Sequence, residues 1–374
     1  MGVEAMRLGQ ITGTGMVTEL PMFEGLGLVD PRGFVFGGYD IRKGDLYGSA
    51  CEFGRNNGLF THQLLQVVKE RLLEITAEIR PGLTKGCGAA ITRLANIPLA
   101  KNKLGFDEAV SSIKEDLSEF KARHNLECVI VVNLASSEPE TLLPQDLEIS
   151  RVKERLPASI LYAYAAIDSG CPYINFTSSL GSNLAELDRL ALQRGIGHMG
   201  RDGKTGETLI KSALAPLFRM RNLKVLSWES HNILGNRDGM ILDSPGHKSA
   251  KIRDKQEVLH KMLPGHLHSH VSIDYVPSLG DSKVAWDFIH FAGFFGVRMS
   301  LQFIWQGLDS ILAAPLVIDL VRLAELSHRY RQGGAMRHLA FFFKNPYGVT
   351  DQDIFTQFGY LSSYIESHRS CSPH

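Results

Sequence analysis

Cys128-Val129-Ile130-Val131-Val132 (CVIVV, residues 128–132) runs without a polar break into Asn133, and Ala135-Ser136-Ser137 follow. A short apolar run closed by polar residues predicts a strand buried on both faces, with ligand groups gathered at its carboxyl end. The pattern recurs. Phe34-Val35-Phe36 ends in Gly37-Gly38-Tyr39-Asp40, and Tyr173-Ile174-Asn175 and Ile196 to Met199 read as further strands. Helical periodicity occupies 60–80, 107–123, 158–168 and 183–194. Near-continuous apolar strands alternating with helices predict an α/β fold built on a Rossmann-like, doubly wound parallel sheet. Asp40 sits at a strand end, where a carboxylate can accept from ribose hydroxyls of a dinucleotide or simply cap a turn.

The texture changes after residue 210. Strand patterns fall at 223–228, 268–275 and 297–304, separated by a basic segment, His247 to His260, and a long amphipathic stretch at 283–295. A helix of about five turns then runs from 308 to Tyr330, and a short apolar element, Leu339 to Phe343, leads to Lys344. These features predict an inserted α+β domain at 209–309, between two parts of the first domain at 1–208 and 310–374. A dinucleotide-binding sheet normally opens with a strand and Gly-x-Gly-x-x-Gly. Nothing before Phe34 fits. Gly9 to Gly15 is glycine-rich with no strand ahead of it, and Met1 to Leu8 reads as the tail of a helix already under way.

The 374 residues carry 40 basic and 40 acidic side chains, a balance that argues against a polybasic nucleic-acid or membrane surface. Five scattered cysteines with no Cys-x-x-Cys pair predict reduced thiols in a cytoplasmic setting and no structural zinc. No signal peptide is visible. The longest apolar run, Ile311 to Leu326, contains Asp319, Arg322 and Glu325 and reads as a buried helix.

HMGRDGKTGETLIKSAL, residues 198–214, contains Gly203-Lys204-Thr205. A P-loop needs a glycine five residues before that glycine, and the position holds His198. Thr205-Gly206-Glu207-Thr208 nevertheless precedes an apolar-periodic run, and a helix start offers free N–H groups and a positive dipole end to an anion. Taken alone, the stretch reads first as a capped helix with two solvated lysines, Lys204 and Lys211, and second as a phosphate site that is not a P-loop. Lys251 and Lys255 lie one helical turn apart, Lys283 follows Gly280-Asp281-Ser282, and Lys344 follows three phenylalanines. Lysines in apolar surroundings suit proton transfer or neutralisation of an oxyanion. Asn232, Asn236 and Asp238 read as a turn, and Asp309 as a residue complementing the dipole of the long helix. His266, His268 and His270 share one strand face, yet no carboxylate is fixed beside them, so no metal is expected.

Together FVFGGYDI, PYINFTSS, GRDGKTGETLIKS, HNILGNRDG, SAKIRDK, YVPSLGDSKVAWD, LDSILAAPLVIDL and FFFKNP are more specific than any one of them. In this order and spacing the chain, from about residue 8 to about 350, resembles the myo-inositol-1-phosphate synthase family, also called inositol-3-phosphate synthase. The resemblance implies an isomerase that converts D-glucose 6-phosphate to 1D-myo-inositol 3-phosphate for inositol and phospholipid biosynthesis, with NAD as a recycled oxidant. The C5 hydroxyl is oxidised, the ketone enolises, an intramolecular aldol reaction closes the ring and the hydride returns. It implies substrate-phosphate contacts at Thr205, Gly206, Glu207 and Thr208, and catalytic roles for Lys251, Lys255, Lys283, Lys344, Asp202 and Asn236. Cofactor contacts fall on Asp40, Ser136, Asn175, Asp202, Asp281 and Asp309, and the assembly implied is a homotetramer built through the inserted domain. Three departures stand out: the absent glycine-rich loop, Arg201-Asp202 where the family has paired aspartates, and Arg237 where it has a second asparagine. The competing readings are a sugar-phosphate dehydrogenase that releases NADH and a non-catalytic NAD- or sugar-phosphate-binding protein.

Overall fold

The computed structural model describes residues 1–139, 149–243, 252, 258–263, 265 and 267–369. It opens with helix α1 (Gly2–Arg7) and irregular chain to strand β1 (Gly38–Asp40), then α2 (Leu46–Asn57), α3 (His62–Ala77) and β2 (Ile79–Pro81). After α4 (Gly88–Thr92) and α5 (Phe106–Arg123) come β3 (Val131–Asn133), α6 (Ile149–Val152), α7 (Ala158–Asp168), β4 (Tyr173–Asn175), α8 (Ala185–Arg194) and β5 (Gly197–Gly200). The termini carry recognisable stops. Asp45 accepts from the Gly48 N–H at the start of α2, Thr61 caps α3, and Gly195 closes α8 with φ +66.

Strands β3, β4 and β5 pair in parallel, joined on the far side by β10 (Gly334–Ala335), and β1 pairs separately with β2, also in parallel. The expected α/β architecture is therefore present, with one correction: the first strand begins at Gly38, beyond the apolar Phe34-Val35-Phe36 run. Among the described residues no strand precedes it. The sheet is covered on both faces. Tyr173 turns toward α5, α7 and α8, while its neighbour Ile174 turns toward the helices that close the chain. Helix α7 is buried almost all round, because Ile160, Leu161, Ala163 and Ala165 to Ile167 fill the gap between sheet and α5.

Helix α9 (Gly206–Met220) leaves β5 and leads to a second sheet: β6 (Lys224–Leu234), α10 (Arg237–Leu242), β7 (His268–Tyr275), β8 (Ser282–Ala292) and β9 (Arg298–Leu308). The strand order is β7-β6-β8-β9, with β6–β7 parallel and the other pairs antiparallel. The amphipathic 283–295 stretch is thus strand for most of its length, since Lys283, Ala285, Asp287 and Ile289 alternate inward with period two. Ala215 and Phe218 of α9 pack with Trp228 and Ile289 into the core under this sheet. Helix α11 (Asp309–Arg329) returns the chain to the first sheet, and α12 (Ile354–Arg369) completes the cover.

The early irregular chain is pinned to α11. The buried Asp319 carboxylate accepts from the Val17 N–H (2.6 Å), the Thr18 N–H (3.1 Å) and the Thr18 hydroxyl (2.5 Å), and Arg322 donates to Thr18 Oγ1 and Glu19. A buried network missing one charged acceptor loses roughly 3 kcal/mol. Asp319→Ala is accordingly expected to lower stability by about that much, and hydrogen exchange should accelerate first at the Val17 and Thr18 amides.

Candidate active site

Strand β5 ends at Gly200, and the next residues are stitched to a second segment 140 places later. Arg201 and Asn345 exchange backbone hydrogen bonds, the Lys344 N–H donates to the Asp202 carbonyl (2.7 Å), and the Lys204 N–H donates to the Phe342 carbonyl (2.8 Å). Gly203 and Phe343 face each other as an antiparallel bridge. Alternation then puts the side chains of Asp202, Lys204, Phe342 and Lys344 on one side of this two-strand ladder. There the Lys344 ammonium donates to Asp202 Oδ1 at 2.8 Å, both groups nearly buried. Asp202 holds φ +62, a left-handed conformation that Asp tolerates better than most residues. On the other side Gly203 is obligatory, for a Cβ would stand 2.1 Å from the Phe176 ring.

Two residues later α9 begins. Thr205 is the residue before the first turn and its hydroxyl does not cap the helix. Gly206 has φ +53, and a Cβ there would meet the Trp305 indole nitrogen at 2.9 Å. The helix mouth therefore lies under an indole N–H from β9. The buried Glu207 carboxylate accepts from the Thr208 hydroxyl (3.5 Å). It folds inward to a salt bridge with Lys211, one turn on. Lys204 and Lys211 overturn the expectation of solvated lysines, being 2% and 0% exposed. The Lys204 ammonium donates to Gln357 Oε1 (2.5 Å), and burial, helped by the neighbouring Lys344 charge, brings its pKa down to about 7.

The other sequence-selected residues divide. Lys283 Nζ donates to Asp309 Oδ2 at 2.9 Å, joining the start of β8 to the start of α11. Its strand partner is Gly307, two residues from Trp305. Asp281 accepts from Asn57 of α2 (3.0 Å). Asn236 caps α10 through the Gly239 N–H (3.0 Å), and Asp40 is engaged by the Arg42 N–H and guanidinium. Asn175 is fully buried and its amide donates to the Ser179 and Leu180 carbonyls, which shapes the loop after β4. Ser136 is half-buried in the loop after β3. Lys251, Lys255 and His266 lie outside the described residues. His268 is paired with Glu229 at 2.8 Å, and among the described residues there is no cluster of three or more metal-ligating side chains.

Sequence reading missed Glu138 altogether. Its carboxylate lies at the start of α7, accepting from the Ser159 N–H (2.8 Å) and hydroxyl (2.5 Å), with the Cys87 thiol beside it. Complete burial raises its pKa to about 7 despite these donors. The only available signal was position: Glu138 follows the polar run at the end of β3. Around it the buried hydroxyls of Ser137 and Ser178, and of Thr177 and Ser179, hydrogen-bond in pairs, and Asn183 Oδ1, beside Gly200, is buried with no hydrogen-bond partner. Such a set of donors, with a spare amide acceptor, fits a polar cofactor bearing hydroxyls and a carboxamide.

A parallel sheet with buried hydroxyls gathered at its carboxyl ends, a helix that starts just after β5 and two carboxylate-pinned lysines make an arrangement common to nucleotide-binding α/β enzymes. The description of the NAD-binding myo-inositol-1-phosphate synthase family matches residues 1–365, and the chain belongs to that family. Inositol-3-phosphate synthase 1 of Bacteroides thetaiotaomicron is 32% identical over 88% of this chain and 80% of its own length. The Trypanosoma brucei brucei inositol-3-phosphate synthase is 34% identical over 64% of this chain, which spans only 48% of that protein. The crystal structure of the Caenorhabditis elegans inositol-3-phosphate synthase superposes with a TM-score of 0.79, at 25% identity, covering 93% of this chain and 73% of that one. All three relatives are named as inositol-3-phosphate synthases, that is, as enzymes.

Two measurements check the site's geometry. Gly203→Ala should force Phe176 aside and cost about 1–3 kcal/mol by overpacking, read as a lowered denaturation midpoint. The Glu138 pKa is raised in the folded state, so its contribution to stability is complete below about pH 4.5 and is lost as pH rises through about 7. Glu138→Gln should therefore flatten the fall in stability across that window.

Proposed function

We propose that this chain converts D-glucose 6-phosphate to 1D-myo-inositol 3-phosphate with NAD as a recycled cofactor. The observation that carries the reading is the Lys344–Asp202 pair, held on the ladder with Asp202 three residues before Thr205 at the α9 mouth. The backbone N–H groups of Gly206, Glu207 and Thr208, with the Thr205 and Thr208 hydroxyls, hold the phosphate at the positive end of α9. The sugar then reaches back toward Lys344 on one side and toward Lys283 on the other, since Lys283 and the Trp305 roof of the mouth belong to neighbouring rungs of β8 and β9. Each ammonium is fixed by a single carboxylate, Asp202 or Asp309. Pre-placed positive charge of this kind stabilises enolate and alkoxide oxygens, and the same groups can donate a proton to them. The crevice lined by Ser136, Ser137, Thr177 and Ser178 would hold NAD, which when bound supplies the hydride acceptor and donor.

The cytoplasm is the compartment we assign, in keeping with free thiols at Cys51, Cys87, Cys128 and Cys171. The assembly we assign is a homotetramer. The outer face of the second sheet exposes Trp286 and Ile304 side by side on paired rungs, and the β8–β9 turn carries Phe294 and Phe295 at 85% and 89% exposure.

Purified chain incubated with NAD and glucose 6-phosphate should yield a cyclitol phosphate by NMR, with no sustained rise at 340 nm. Stoichiometric NADH without cyclitol would replace the isomerase with a dehydrogenase. Lys344→Met should lower kcat by roughly two to four orders of magnitude, and should also lower the denaturation midpoint, because the buried Asp202 carboxylate loses its ammonium partner. Light scattering should give four copies, and Ile304→Glu should reduce that number.

A further inference from the structure

The mouth of α9 poses a problem of charge. Its first turn carries a carboxylate, Glu207, where a phosphate dianion is to be received. A carboxylate in the first turn gains from the helix dipole, but it also repels a second anion drawn to the same amides. The structure answers this from the interior. Lys211, fully buried, forms an ion pair with Glu207, and its Nζ also lies 3.6 Å from the buried Asp287 Oδ1. Asp287 in turn accepts from Trp228 Nε1 (2.7 Å) and Ser230 Oγ (2.6 Å). Burial raises the Asp287 pKa, and the Glu207 charge adds to the effect.

We propose that Lys211 is a positioning residue for phosphate recognition: it draws the Glu207 carboxylate inward and cancels its charge, which leaves the α9 amides to the phosphate of the substrate. The inference rests on the reading of the α9 mouth as the sugar-phosphate site. It also makes Glu207 a side chain that opposes phosphate binding, while its backbone N–H contributes to it.

A double-mutant cycle tests this, with calorimetric Kd values for glucose 6-phosphate and for inorganic phosphate in the NAD-loaded protein. Lys211→Met should weaken both about tenfold and raise KM by the same factor, with kcat falling less than threefold. Glu207→Gln should tighten both several-fold. Glu207→Gln/Lys211→Met should bring both back to within about threefold of the unaltered protein. A role confined to folding would lower the denaturation midpoint in Lys211→Met without tightening of phosphate in Glu207→Gln. That result, or a double variant no better than Lys211→Met, overturns the proposal. If Lys211→Met does not fold, Glu207→Gln decides alone through the sign of its change in Kd. Absence of saturable glucose 6-phosphate binding in the unaltered protein overturns the reading of the site as well. Normal binding there with a flat cycle overturns only the role of Lys211.

Discussion

The backbone ladder between residues 201–204 and 342–345 is the constraint on which the rest of the molecule depends. It ties the end of the central strand β5 to the segment that follows β10, at the point where the chain leaves the parallel sheet for the second sheet. Everything between, from α9 through β9 and α11, is one long excursion closed by these hydrogen bonds. A single rung, Gly203 opposite Phe343, fixes which side chains share a face, and so brings Asp202 to Lys344 across a sequence separation of 142. Helix α9 follows at once, which places its open mouth within a few residues of that ion pair. The start of α9 and the Lys344–Asp202 pair are therefore set by one piece of geometry.

Much of the α/β part was legible because buried parallel strands leave an unambiguous trace. Tyr173-Ile174-Asn175 has no choice but to be covered on both sides, and Phe106 to Arg123 carries an apolar stripe at helical spacing. The Phe34 run misled for a physical reason. Its residues read as a strand by hydrophobicity, yet the strand that pairs is Gly38–Asp40, where Ile79–Pro81 offers a partner. Hydrophobicity marks what is buried, whereas pairing depends on a neighbour that the local sequence does not name. The 283–295 stretch shows the complementary case, since alternation along β8 was visible but its fit to a sheet required β6 and β9 on either side.

The site was legible in part, and the boundary is instructive. Lys283 and Lys344 were found by their motifs, and the structure gives each a carboxylate partner. Which carboxylate serves which lysine could not be read, because Asp202 and Asp309 lie far from their lysines along the chain and meet them only through strand register. Lys204 and Lys211 were misjudged for a different reason. Lysines beside glycine and threonine at a helix start are ordinarily solvated, and only the packing of α12 over one and of the second sheet over the other removes water from them. Glu138 left no trace in composition or spacing. Its environment is made by Ser159 and Cys87, which arrive from other elements.

Taken together, the buried charges are distributed by one rule. Lys344 and Lys283 are each held in place by a carboxylate, Asp202 or Asp309. Behind that layer, the buried charges are shifted toward the neutral form or paired. Lys204 sits against Gln357 with its pKa brought down to about 7, Glu138 is raised to about 7, and Glu207 is cancelled by Lys211. An uncompensated charge in this second layer would act across a low-dielectric interior on any anionic intermediate, and would do so in the ground state and the transition state alike. Neutralising it confines the useful field to the two lysines whose geometry is fixed. The stability this costs in buried polar groups is what a site would require if it is to bind a doubly charged phosphate, as proposed, and also stabilise a developing enolate a few bonds away.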